Sequence, residues 1–207
     1  MLGIADARDI ATGWVSSCAL LDAGAVKCWA SDRFGQLGNG VLEKASSPTP
    51  VHGIAGSVAI SVGGYTACAV ATTVECWGQG AQGQLGDGSL KGSSIPVPVK
   101  GIAAIQSLSV AFAHVCAVRR DGALFCWGDN VGSDLGNGST NASSVPLQVA
   151  IPLVRQVSAG GLAYLRTAPC RHGVLLGGQR LREAWHRNTA RLVDARAGPG
   201  SHRDRGR

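Results

Sequence analysis

CAVRRDGALFCWGDNVGSDLGNG, residues 116–138, decides the fold, because nearly the same string stands at 18–40 and again at 68–88. Aligned on the Cys-Trp step, the copies bring Trp29, Trp77 and Trp127 into register, and a Leu-Gly pair follows eight residues after each, at Leu37, Leu85 and Leu135. The period is 48 to 50 residues, the length of one small sheet per copy. The chain is therefore a repeat protein whose core has to form between similar units laid side by side.

Working outward, three repeats occupy 3–52, 53–100 and 101–149, and a fourth opens at Ala150 and runs to Leu165. Each copy follows one plan: an apolar-alternating strand, a second strand opening on Cys-Ala, a tight turn, a third strand ending in Cys-Trp, and a glycine-rich bend carrying Leu-Gly. A Ser-Ser-Pro connection then leads onward, at Ser46 to Pro50, Ser93 to Pro98 and Ser143 to Pro146. Proline cannot donate to a central ladder, so these segments are edges or links. Thirty glycines in 207 residues and only 15% charged residues fit short strands joined by tight turns, an all-β class. No stretch approaches the roughly 20 apolar residues of a bilayer span, so membrane insertion is not expected. No secretory signal is visible either, since Met1 and Leu2 lead into GIADARDIATG at 3–13, the same opening as GIAGSVAISVG at 53–63 and GIAAIQSLSVA at 101–111.

The net charge of +6 is unevenly placed. Residues 1–165 hold 9 Lys and Arg against 10 Asp and Glu, whereas 166–207 hold 10 Arg against 3 acids. A neutral body argues against nucleic acid as a partner, and all the basicity lies in the Arg-rich stretch 166–207. That stretch has its own reading. If the codons for Leu165 to Asn188 are read one nucleotide later, a permitted translation is CAPRPAATAYCWGDNAYGKLGTGT, which restores both cysteines ten apart and the Trp-to-Leu-Gly offset. Val193 to Gly200 likewise rereads as STPGPVPG, like the Ser/Pro link. The expectation is a shifted frame from about Tyr164, with 166–207 unstructured and Cys170, His172, His186 and His202 accidental. The competing reading is a genuine basic arm, and the gene sequence separates the two.

The paired cysteines are the chemically suggestive feature. Their separations are 10, 8 and 10 residues, for Cys18 and Cys28, Cys68 and Cys76, and Cys116 and Cys126. An even separation across a three-residue loop, such as Arg120-Asp121-Gly122, sets the partners directly opposite on a hairpin, within disulfide reach. Two states remain open: cross-strand disulfides, or reduced thiols packed as small apolar groups. Metal binding is not expected, because no Cys-x-x-Cys occurs and His52 and His114 have no ligand spacing to the pairs. Trp29, Trp77 and Trp127 could stack bases or sugars, but one large aromatic at a fixed place in every sheet is better read as blade packing, with Leu37, Leu85 and Leu135. Asp121, Asp129 and Asp134 sit in or beside turns. There is no phosphate-binding loop, dinucleotide fingerprint, nucleophile elbow or His-Glu metal helix, so no catalytic residue and no cofactor is assigned.

Taken together, the Cys-Ala opening, the Cys-Trp-Gly hairpin, Gly35-Gln36-Leu37-Gly38 and Gly83-Gln84-Leu85-Gly86, and the fifty-residue period resemble the regulator of chromosome condensation repeat over residues 3–165. Kelch repeats have a similar length but do not imply this hairpin. The third copy departs with Ser133-Asp134 and the first with Ala30 where Gly78 and Gly128 stand, so those turns are expected to be altered. The resemblance implies a β-propeller of four-stranded blades, usually about seven. This chain holds about three to three and a half, a partial propeller that reads as a fragment of a larger one, with the remaining blades among its partners. Its cysteine-bearing hairpins resemble a bacterial, exported branch, which implies a parent at the cell surface or outside the cell.

The function expected from this is a non-catalytic module mediating protein-protein or cell-surface interaction. The alternatives are guanine nucleotide exchange on a small GTPase, the activity of the family's namesake, and protein inhibition of an enzyme. The bend before each Leu-Gly varies most between copies, so Arg33, Phe34, Gln79, Gln82, Asp129 and Asn130 are where a partner is expected to touch.

Overall fold

The computed structural model describes residues 4–151, 153–160, 163–167 and 173–175, the last two stretches as backbone strands. Every regular element among them is a strand. β1 (Ala7–Thr12), β2 (Ser16–Leu21), β3 (Val26–Ala30) and β4 (Ala45–Pro50) form the first antiparallel meander. β5 (Ala59–Val62), β6 (Thr66–Val70), β7 (Thr73–Gly78) and β8 (Ser93–Ala103) form the second. β9 (Ile105–Val110), β10 (His114–Arg119), β11 (Leu124–Gly128) and β12 (Ser143–Val149) form the third. β13 (Val154–Ala159), β14 (Ala163–Thr167) and β15 (Gly173–Leu175) make a three-stranded fourth sheet.

Hairpin register follows from the loop between β2 and β3 and its copies. Val118 stands opposite Leu124 and Cys116 opposite Cys126, with Gly122 closing the loop at φ 87°. Cys18 faces Cys28 and Cys68 faces Cys76 in the same way. Successive strand residues point to opposite faces, and the blades use both. Between blades 1 and 2 the core takes Cys18, Leu20, Val26, Cys28 and Leu37 from the first sheet, and Ile60, Val62, Ala67, Ala69 and Trp77 from the second. Between blades 2 and 3 the division repeats, with Cys68, Val70, Val74, Cys76 and Leu85 against Val110, Val115, Ala117 and Trp127. Cys116, Val118, Leu124, Cys126 and Leu135 then meet Val154 and Val157 of the fourth sheet. The cysteine face of each blade thus looks forward and the tryptophan face looks back. Each fully buried Val or Leu contributes about 1.5–3 kcal/mol, so stability resides between sheets, not within one.

First strands of consecutive blades adjoin, β1 with β5, β5 with β9 and β9 with β13, which places them toward the wheel's axis. β6 is buried at every position, while β1 is exposed almost throughout, with Ile10 57% exposed, because no described sheet covers it.

One expectation requires correction. The turns holding Ala30 and Ser133 are not altered: Ala30 sits at φ 90° where Gly78 and Gly128 have 103° and 104°, and Ser133 at φ 60° where Gly35 and Gly83 have 81°. The hydrogen-bonded loop around each position holds the shape, and the backbone of Ala30 and Ser133 carries the strain of a positive φ. The fourth sheet reaches a little past Leu165. The backbone groups along β13 offer a ladder that β14 continues to Thr167, and β15 pairs in turn with β14. The rest of 166–207 lies outside the described residues, and so does the shifted-frame reading.

Candidate functional site

In an antiparallel meander the β1–β2 and β3–β4 connections emerge at one rim of the wheel and the β2–β3 hairpins at the other. On the first rim the β1–β2 turns of neighbouring blades are tied directly. Trp14 N–H donates to the Gly63 carbonyl at 3.2 Å, and Gly64 N–H donates to the Ala111 carbonyl at 3.1 Å. Such an approach tolerates no side chain at Gly13 or Gly63, since a Cβ there would lie 2.0 Å from the Gly63 oxygen or 1.8 Å from the Ala111 oxygen.

The next position in each turn carries Trp14 in blade 1, Gly64 in blade 2 and Phe112 in blade 3. The missing side chain at Gly64 lets the flanking rings meet across blade 2, with centroids 5.1 Å apart and planes at 74°. Tyr65 lies 6.1 Å from each of them, and Phe34, from the blade 1 bend, lies 4.8 Å from Tyr65. The Arg33 guanidinium stands 5.6 Å over the Phe34 ring. These are edge-to-face and tilted arrangements, the favourable ones for aromatic quadrupoles, with a cation on the outer face. Trp14 is 69% exposed and Phe112 50% exposed, so three blades share one solvent-facing aromatic surface.

Of the bend residues singled out from sequence, Arg33 and Phe34 belong to this surface, while Gln82 is exposed, and Gln79 and Asp129 half-buried, along the same rim. Asn130 does not. It is fully buried, its Oδ1 accepting from Leu135 N–H at 2.9 Å and its Nδ2 donating to the carbonyls of Ser139 and Asn141, both at 3.0 Å. The loop folds over it because those carbonyls need a donor, so no partner reaches it. Trp14, Tyr65 and Phe112 were the residues that motif spacing passed over. Their one signal is an aromatic side chain at or beside a position that another copy fills with glycine.

The cysteines form three buried cross-strand disulfides, with S–S distances of 2.08 Å for Cys18–Cys28, 2.13 Å for Cys68–Cys76 and 2.15 Å for Cys116–Cys126. Trp77 and Trp127 are 1% and 0% exposed, and their indole N–H groups donate to the backbone carbonyls of Gln36 and Gln84 in the preceding blade, each at 3.0 Å. No base or sugar can reach them there. Trp29, half-buried on the first sheet, has no described blade behind it. Leu37, Leu85 and Leu135 are fully buried beneath the indoles and bends.

Among the described residues no group of three or more His, Cys, Asp or Glu converges as a metal site. An open cleft of about 550 Å³ at the opposite rim is lined by Gln106, Arg120, Asp121, Leu153 and Arg155 among others. Its one acid is no proton donor near neutral pH: the side-chain hydrogen bond from Arg119 holds the Asp121 carboxyl down to about 2.

The regulator of chromosome condensation (RCC1) repeat profile matches residues 74–118 and 121–162, and a second profile of the same repeat matches 105–132. No curated protein matches the sequence. Among solved structures the chain is similar to human WBSCR16, with 22% identity and a TM-score of 0.68 over 84% of this chain and 45% of that one. It is also similar to Prp20p from Saccharomyces cerevisiae, a structure described together with its binding properties to Gsp1p and histones, with 17% identity and a TM-score of 0.71 over 93% of this chain and 48% of that one. The chain spans about half the length of these propellers. At such identities the likeness is one of fold. The profile matches and the forward-cysteine, backward-tryptophan blades converge on one assignment: residues 74–162 are regulator of chromosome condensation (RCC1) repeats, and the sheets of the chain have the fold of β-propeller blades.

Proposed function

We propose that the chain is a non-catalytic repeat scaffold that binds another protein through the rim surface of Trp14, Phe34, Tyr65, Phe112 and Arg33. The observation carrying this reading is the contiguous exposure of aromatic rings across three blades, with Trp14 69% and Phe112 50% exposed. Single exposed apolar residues are ordinary on soluble proteins, but clustered ones mark contact surfaces, and Trp, Tyr and Arg supply most hot-spot energy. The partner is thus a protein whose apolar side chains cover the rings. Three disulfides support an oxidising compartment, outside the cell or at its surface. The exposed β1 sheet fits the remaining blades of a longer propeller, a reading supported by the half-length match to known wheels.

A cell-envelope extract passed over the wild-type chain and over a Trp14→Ala/Phe112→Ala variant tests the reading. Both rings lie outside the interblade cores, so the variant should keep its circular dichroism, and the retained partner should be lost from it. Capture of the same partner by both proteins would contradict the proposal. A nucleotide-release assay with a small GTPase is expected to show no acceleration; acceleration would move the chain to the exchange-factor reading.

A further inference from the structure

The bend that presents Arg33 and Phe34 contains a buried acid in a place where its blade 3 copy has a hydrogen-bond donor. In blade 3 that place belongs to Asn130, whose Nδ2 donates to the Ser139 and Asn141 carbonyls at 3.0 Å each and to Asn137 Oδ1 at 3.3 Å. In blade 2 it belongs to Gly80, where a Cβ would lie 2.0 Å from the Lys91 carbonyl, so the loop closes tightly there too. In blade 1 it is Asp32, 1% exposed. Asp32 Oδ1 accepts from Leu37 N–H at 2.8 Å, as Asn130 Oδ1 does from Leu135 N–H at 2.9 Å, so the two side chains are oriented alike. Asp32 Oδ2 therefore occupies the place of the Asn130 amide nitrogen, and it has no hydrogen-bond partner among the described residues.

Around it the loop keeps its shape. Asn39 Oδ1 accepts from Val41 N–H at 3.1 Å, as Asn137 Oδ1 does from Ser139 N–H at 3.1 Å. By register, the oxygens facing Asp32 Oδ2 are then the carbonyls of Val41 and Glu43 and the side-chain oxygen of Asn39. An ionised carboxylate among such acceptors, out of water, is disfavoured by desolvation and by repulsion together. They need a hydrogen-bond donor or a cation between them. Calcium takes six to eight oxygens and only about four are offered, whereas a proton on Oδ2 supplies the donor that the neutral Asn130 amide supplies in blade 3.

We infer that Asp32 is carried as the neutral carboxylic acid, its Oδ2–H donating to the Val41 or Glu43 carbonyl as the Asn130 amide does in blade 3, so that pH controls the bend presenting Arg33 and Phe34. The bearing on binding rests on the proposed rim function; the protonation itself does not. The charged neighbours on the same bend, Arg33, Glu43 and Lys44, are all exposed. The blade 2 segment packed on the bend at Gly35 contributes the backbone of Ser93 and Ser94, which bears no charge. Burial raises the Asp32 pKa above its ordinary 3.8, and the Leu37 N–H bond opposes this in part. The folded protein thus holds a proton that the unfolded chain releases. The stabilisation is complete below pH 3.8 and is lost as pH rises from there through the raised folded value.

Asp32→Asn in the full chain, which supplies the donor permanently, is the test. Its unfolding midpoint should match or exceed that of wild type, with a gap that widens as pH is raised from about 4 to 8. Infrared spectra of wild type should contain a protonated-carboxyl C=O band that the variant lacks. Above the raised pKa, exchange protection of the Leu37 amide should fall about tenfold per pH unit in wild type and stay constant in the variant. Asp32→Ala, with neither donor nor acceptor, should be the least stable of the three at every pH. Asp32→Asn being less stable than wild type across the range, a missing carboxyl band, or calcium raising the wild-type midpoint but not that of Asp32→Asn would overturn the inference. None of these readouts involves a partner, so they stand or fall separately from the rim binding.

Discussion

Ala30 holds a conformation that its two counterparts leave to glycine. At φ 90° its Cβ crowds the adjoining backbone, whereas Gly78 and Gly128 adopt 103° and 104° without that conflict. Ala30→Gly should raise stability by about 1 kcal/mol, the relief exceeding the extra chain entropy of glycine; a lower unfolding midpoint in thermal melts would show that the strain is absent. His114 stands where blades 1 and 2 have Ser16 and Thr66. Its burial lowers the imidazole pKa from 6.5, with Asp134 and Asp129 pulling the other way. A depressed imidazole resists charging in the fold, so stability is complete above 6.5 and declines as pH falls from there toward the lowered value. His114→Thr has a precedent in Thr66, whose hydroxyl donates to the Gln79 carbonyl at 3.1 Å. It should remove that acid-side decline in midpoints measured between about pH 5 and 7.5; an unchanged slope would place the imidazole in water. The Ala30 departure is plain in the aligned copies, but its consequence is not, because whether a turn yields or strains depends on the sheets packed around it.

The hairpin is the unit whose register could be read from spacing alone. Val118 pairs with Leu124 and Cys116 with Cys126 because a three-residue loop and strand alternation leave no other pairing. Each bridge closes a loop of about ten residues and restricts the unfolded chain by about 2–3 kcal/mol on the loop-entropy account. What spacing does not tell is which face each side chain serves. The indole of one blade reaches the carbonyl of the one before, so Trp127 joins two elements 43 residues apart in sequence. Trp127→Phe leaves the Gln84 carbonyl buried without its donor and should cost about 1–3 kcal/mol, read from urea midpoints at constant m. Trp29→Phe, on the half-buried first sheet, should cost less. Equal losses would mean that the indoles act within their own sheets.

In the assembled wheel the chain presents two kinds of surface that a linear reading of repeats treats alike. Interblade faces bury the recurrent residues, Leu37, Leu85 and Leu135 among them. The rim gathers residues that do not recur in every copy, and it escapes motif analysis for that reason: Gly64 interrupts the turn position that Trp14 and Phe112 share, Tyr65 lies one place further on, and only the closing of the β1–β2 turns on one another brings their rings within 5.1 to 6.1 Å. Fold class was legible because it depends on repetition, while the candidate site depends on exceptions to it. The surface across three blades, not any single loop, is what a partner would recognise. A photoreactive phenylalanine analogue placed at Phe112, and at Val58 as a control exposed away from the aromatic cluster, tests this most directly. The account expects one adduct of defined mass from envelope extract at position 112, reduced at least tenfold by Trp14→Ala and absent at position 58; equal adducts at both positions, or one at 112 that survives Trp14→Ala undiminished, would contradict it.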